Sequence, residues 1–152
     1  MKTLRLATIA FILPAVWCHA TVARAQTSVT LSGSPSLRIQ SAVAGSNPTP
    51  VSNSVASYNI GGRDRSSTYK LTARLSSNMP TGTTLTVLAA VDVGDTSMGA
   101  VTLDTTTRDI VTTINSPTAS AKTLTYTLTA SAAAGVVTSQ TRTVTYTVTL
   151  AP

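Results

Sequence analysis

The carboxylates are the first residues that could do chemistry. Asp92 and Asp95 flank Val93-Gly94, and Asp104 and Asp109 follow close behind. Brought to one point, they would offer calcium a set of hard oxygen ligands. Their spacing matches no D-x-D-x-D-G loop, and Asp beside Gly is ordinary turn chemistry, so no metal is expected. Lys70 or Lys122 beside a serine could form a Ser-Lys hydrolase. No G-x-S-x-G elbow accompanies either lysine. The densest charge cluster is Arg63-Asp64-Arg65, with Lys70 and Arg74 behind it. Arg63 and Arg65 could hold an acidic glycan or an anionic surface. The plainer alternative is a solvated turn whose charges satisfy one another.

The missing residue types exclude more than the present ones suggest. From Gln26 onward the chain has no Cys, His, Glu, Trp or Phe. A Ser-His-Asp triad, a cysteine nucleophile and a standard zinc site are therefore impossible there. No disulfide can brace the fold, and no catalysis and no cofactor are expected. The whole chain carries a net charge of +6, part of it in the first 25 residues. The remaining basic excess is scattered, and the only aromatics after residue 25 are Tyr58, Tyr69, Tyr126 and Tyr146. A nucleic-acid binder would need a clustered basic face with rings for stacking, so no nucleic-acid partner is expected. Tyr58 is the one tyrosine that a loop could present to a sugar ring.

Lys2 and Arg5 precede an uncharged apolar run from Leu6 to Trp17, and Ala23-Arg24-Ala25 follows. This is the three-part layout of a secretory signal peptide, with cleavage expected before Gln26. The run is too short for the roughly 20 residues that span a bilayer, which argues against a retained anchor. Cys18 follows Trp17 rather than a small residue, so it is a poor lipidation site. The domain plan is a leader at 1–25 and one domain at 26–152. The expected location is secreted, periplasmic or cell-surface, with no membrane insertion after cleavage.

These residues have to be positioned by strands. Thr68 to Leu75 alternates strictly, with Tyr69, Leu71, Ala73 and Leu75 on one side and Thr68, Lys70, Thr72 and Arg74 on the other. Ser28 to Leu31, Ser36 to Ala42, Thr84 to Val91, Val101 to Leu103, Asp109 to Ile114 and Thr123 to Thr129 are further strand segments. Val51 to Ile60 reads as an irregular strand, and Thr141 to Leu150 as a last alternating one. Helical periodicity is absent after the leader. About eight short strands with polar turns predict an all-β, antiparallel, immunoglobulin-like β-sandwich. A membrane β-barrel would need aromatic girdles that four tyrosines do not supply.

Parity adds detail. Tyr126 and Tyr146 should face the same core, because the even positions of both segments are apolar. If the two strands form a hairpin, an odd-length loop over Ala133 to Val137 would place Tyr126 near Val144 and Leu124 near Tyr146. The odd positions are threonines, which suit the exposed side of a strand. Ordered Thr-x-Thr arrays also resemble the ice-binding surfaces of some antifreeze proteins, which makes ice binding an alternative.

Val144, Tyr146, Val148 and Leu150 form an alternating apolar row close to the last residue. Together with the leader and the strand-rich body, that row resembles the subunits of bacterial chaperone–usher pili. The resemblance implies that this strand is a partner-binding element, recognised by a chaperone and involved in joining subunits. Two features depart from the family: the missing disulfide, and an N-terminal segment in which Val29 and Leu31 are soon interrupted by Gly33 and Pro35. The expected function is a secreted, non-enzymatic structural or adhesive surface protein, fimbria-like or matrix-forming. Its expected partners are itself or other surface subunits, through edge strands. A module that binds a carbohydrate or other extracellular ligand is the alternative.

Overall fold

The computed structural model describes residues 27–40, 43, 45–62, 64, 66–115 and 121–152. The leader expected at 1–25, and Arg63 and Arg65, lie outside the described residues. Among the described residues, nine strands form two antiparallel sheets. The strands are β1 (Ser28–Ser32), β2 (Val51–Gly61), β3 (Tyr69–Leu75), β4 (Thr83–Ala89), β5 (Thr96–Ser97), β6 (Ala100–Thr102), β7 (Arg108–Ile114), β8 (Lys122–Ala130) and β9 (Val144–Leu150). One sheet runs β1-β2-β8-β4-β6, and the other β5-β7-β3-β9. Among the described residues the only helical element is a short 3-10 turn at Ala132–Ala134.

Alternation in the sequence becomes a two-sided sheet. Tyr69, Leu71, Ala73 and Leu75 are all buried, as are Leu85, Val87 and Ala89. The largest side chains fully removed from solvent are Leu71, Ile110 and Val111 from one sheet, and Val87 and Leu124 from the other. Each such aliphatic side chain contributes about 1.5–3 kcal/mol of burial, so the core forms where the two inner faces meet. Ile110 and Val111 are adjacent yet both buried because β7 bulges against β3 between the Leu71–Val111 and Thr72–Asp109 pairs. The same bulge sets Asp109 opposite Thr72.

The hairpin expected between the last two strands does not form. β8 pairs with β2 and β4, whereas β9 pairs with β3 in the opposite sheet. Tyr126 therefore lies opposite Val87 rather than near Val144, and Tyr146 opposite Ala73 rather than near Leu124. The parity behind the expectation holds, because Tyr126 and Tyr146 do face one core and their hydroxyls hydrogen-bond across it. Facing the same core is a condition that opposite sheets meet as well as neighbouring strands do. The segment from Ser36 to Gln40 keeps alternating exposure, with Leu37 against the core, but joins no ladder. β1 covers only Ser57 to Gly61 of β2, and beside the rest of that strand the segment is held by a side chain, Asn53 Nδ2 donating to the Ser36 carbonyl at 3.2 Å.

Two glycines are required by geometry. Gly33 ends β1 at φ +78°, and a Cβ there would stand 2.4 Å from the Val55 carbonyl oxygen. Gly82 has φ +78° in the turn closed by the Thr83 N–H to Pro80 carbonyl bond. That is the turn position where glycine is favoured.

Candidate functional site

The two sheets present four edges: β1, β6, β5 and β9. Three are blunted. β5 has two residues and β6 three, and β1 has five before Gly33 and Pro35 interrupt it. β9 runs seven residues, and its ladder with β3 has no register shift. It contains no charge and no proline. Among the described residues no strand pairs with its other side. A long, regular, uncharged edge exposes a row of backbone donors and acceptors ready for another strand.

The side chains beside that edge are only partly covered. Of the four residues singled out on β9, Tyr146 is buried, Val144 and Val148 are half-buried, and Leu150 is 62% exposed. β9 meets β1 across the sandwich. There Val29 is half-buried and Leu31 is 45% exposed. Together Leu31 and Leu150 leave apolar surface open along the β1–β9 seam. The sequence pointed to the β9 residues. It could not point to Leu31 as their companion, because nothing local says that β1 and β9 are neighbours.

The opposite seam is closed. Leu103 is 2% exposed, and its N–H bonds the Leu85 carbonyl of β4 at 2.9 Å. The next residue, Asp104, accepts at its backbone carbonyl from the Leu75 N–H of β3 at 2.7 Å. One short stretch thus stitches the two sheets. The Arg108 guanidinium holds the Asp104 carboxyl below the usual carboxylate range, chiefly through a side-chain hydrogen bond.

The outward face of the β7-β3-β9 sheet carries the remaining chemistry. Lys70 and Arg74, expected behind the Arg63/Arg65 turn, stand on this face with Arg108 and Asp109. Lys70 Nζ lies 3.2 Å from Asp109 Oδ1. The acids are not brought together: Asp92 pairs with Lys122, Asp104 with Arg108 and Asp109 with Lys70. Asp95 accepts instead from the Asn115 N–H at 2.8 Å. No cluster of three metal-ligating residue types occurs among the described residues. Both lysines weighed for a Ser-Lys pair are engaged by carboxylates.

Tyr58 is not a loop residue offered to a sugar. It lies in β2, is 5% exposed, and donates its hydroxyl to the Ala90 carbonyl at 2.8 Å. The threonines of the last two strands form no common array, because β8 and β9 lie in opposite sheets, and a shorter row remains on one of them. Ser52, Thr127, Thr86 and Thr102 line up across β2, β8, β4 and β6. The Ser52–Thr127 and Ser54–Thr125 hydroxyls, however, hydrogen-bond to each other, at 2.7 and 2.9 Å. Hydroxyls bonded to one another have less capacity left to order water. Among the described residues no helix is long and apolar enough to cross a membrane. No protein-family model, curated protein or solved structure matches the chain.

Proposed function

We propose that the chain is a secreted, non-enzymatic surface subunit that assembles by accepting an extended strand from a neighbouring subunit along the β1–β9 seam. The observation that carries this is the free edge of β9 beside the exposed Leu31 and Leu150. Strand addition satisfies the open backbone groups and buries those apolar side chains in one step. The leader-like segment from Lys2 to Ala25 supports export.

An immunoglobulin-like description of the sandwich fits the pairings. β1-β2-β8-β4 corresponds to strands A-B-E-D, and β7-β3-β9 to C′-C-F. The counterpart of the last strand, G, is missing among the described residues, and that is the position beside β9. One departure remains: β4, the D-like strand, precedes β7, the C′-like strand, in the chain.

Electron microscopy of the purified full chain, with size-exclusion chromatography, tests the proposal. Filaments or ordered oligomers are expected, alone or with a co-purifying subunit. Leu150→Lys and Leu31→Lys should abolish them while the monomer stays folded by circular dichroism. Assembly that survives both substitutions, or a chain that stays monomeric beside every subunit exported with it, would overturn the proposal.

A further inference from the structure

The centre of the outward face of the β7-β3-β9 sheet is a shallow depression of about 750 Å³. β3 builds it by alternating a long, a short and a long side chain: Lys70, Thr72, Arg74. Thr72 is the floor, 6% exposed, with its Oγ1 donating to the Thr147 carbonyl at 3.3 Å. The register places Lys70 opposite Thr149, Thr72 opposite Thr147, and Arg74 opposite Thr145. Strand geometry separates the Lys70 and Arg74 backbones by about 13 Å, roughly the length of a few linked sugar rings.

The charges in the depression are not equivalent. Lys70 is held by Asp109, and Arg108 by Asp104. Arg74 is exposed, and its side chain makes no hydrogen bond or ion pair with any described residue. The other sheet offers a useful contrast. Its strands carry one charged residue, Lys122, and that one is paired with Asp92. Among the charged residues of the described strands, the cation without a side-chain partner therefore stands on the face that also has a depression.

We propose that this depression binds an anionic polysaccharide, with the Arg74 guanidinium taking a sugar carboxylate or sulfate. The planar guanidinium fork matches either group with two parallel hydrogen bonds. Sugar hydroxyls meet the side chains of Thr145 and Thr147 and the Lys70–Asp109 pair, which supplies both a donor and an acceptor. Single-stranded nucleic acid fits less well. All four tyrosines are buried, so no ring of theirs is free to stack on bases, and one unengaged cation is too few to track a phosphate backbone. The site lies on a sheet face rather than on the β9 edge, so it stands or falls independently of strand addition.

The test is calorimetric titration of the full chain with oligogalacturonate, dextran sulfate and neutral dextran at low salt. At least one acidic probe should bind and dextran should not, and binding should weaken as salt screens the exposed charge. The tighter acidic probe identifies the group that Arg74 takes. Arg74→Gln should lower affinity by about tenfold or more, the loss of about 1.4 kcal/mol. Its melting temperature should be unchanged, because the side chain is exposed. Arg74→Lys should recover part of the affinity, and Ser52→Ala on the opposite face should leave it unaltered. Failure of both acidic probes to bind, equal binding of dextran, or full affinity in Arg74→Gln would each overturn the proposal.

Discussion

The two long sides of the sandwich have been finished in opposite ways. On one side Leu103 fills the gap between the sheets, and Leu103 and Asp104 hydrogen-bond to β4 and β3. On the other side β1 and β9 meet with no such stitch among the described residues, and Leu31 and Leu150 stay 45% and 62% exposed. The closed side is built from short strands, loop carbonyls and one buried leucine. The open side has the longest regular edge of the fold. A protein whose only need was stability would blunt that edge with a charge, a proline or a bulge. The contrast shows that apolar surface can be left uncovered on one side when the rest of the core is complete.

The largest expected effect is on the closed side. Leu103→Ala should cost about 2–5 kcal/mol by urea unfolding, because the site is buried and tied to both sheets. A loss well under about 1 kcal/mol, the range of ordinary surface changes, would mean that the two sides are less different than their burial suggests.

The Tyr126–Tyr146 pair comes next, since it ties the open-edge strand β9 to β8 in the middle of the opposite sheet. Either single change to Phe leaves a buried hydroxyl without its partner, at about 1–3 kcal/mol, and the double change should cost less than the sum. A double-mutant cycle measures this directly. Burial raises the Tyr146 hydroxyl well above its usual range, with Tyr126 beside it adding to the shift. Burial likewise raises Tyr126. Raised values mean that the folded state holds these protons more tightly than the unfolded one. Stability from the pair is therefore complete below about pH 10 and falls as pH rises beyond it. Denaturation curves between neutral and strongly alkaline pH should show that fall, and the Phe/Phe double variant should show less of it.

The smallest effect on stability belongs to the open side. Leu150→Lys should shift unfolding by no more than about 0.5 kcal/mol, as expected of an exposed position, yet prevent assembly. Leu88→Lys is the control, because Leu88 is 43% exposed on the outward face of the other sheet. It should alter neither property. Equal effects of the two substitutions on assembly would remove the distinction between the seam and any other apolar surface.

Much of the fold was legible because a strand's side chains alternate whatever its surroundings. Thr68 to Leu75 shows both faces of β3 correctly. The Val51 to Ile60 irregularity corresponds to the register shift between Asn53 and Ala56 in β2. The segment at Ser36 to Gln40 misled because alternation reports a half-buried chain, not the presence of a partner. The seam was half legible: the apolar row on β9 was evident, its neighbour on β1 was not. The depression at Thr72 was less legible still, since Lys70, Asp109 and Thr147 come from three separate strands. The one available sign was the long-short-long order of Lys70, Thr72 and Arg74.

The sequence alone determined which way each strong strand faces, because a period of two admits only two assignments and burial chooses between them. It also determined that the folded domain must hold together without disulfides, on an aliphatic core. Only the tertiary structure decided which strands are neighbours. Backbone hydrogen bonds form equally well with any extended partner, so a strand carries no address for its sheet. That choice sent β8 and β9 to opposite sheets, left β9 with an open side among the described residues, and set Lys70, Thr72 and Arg74 beside the threonines of β9.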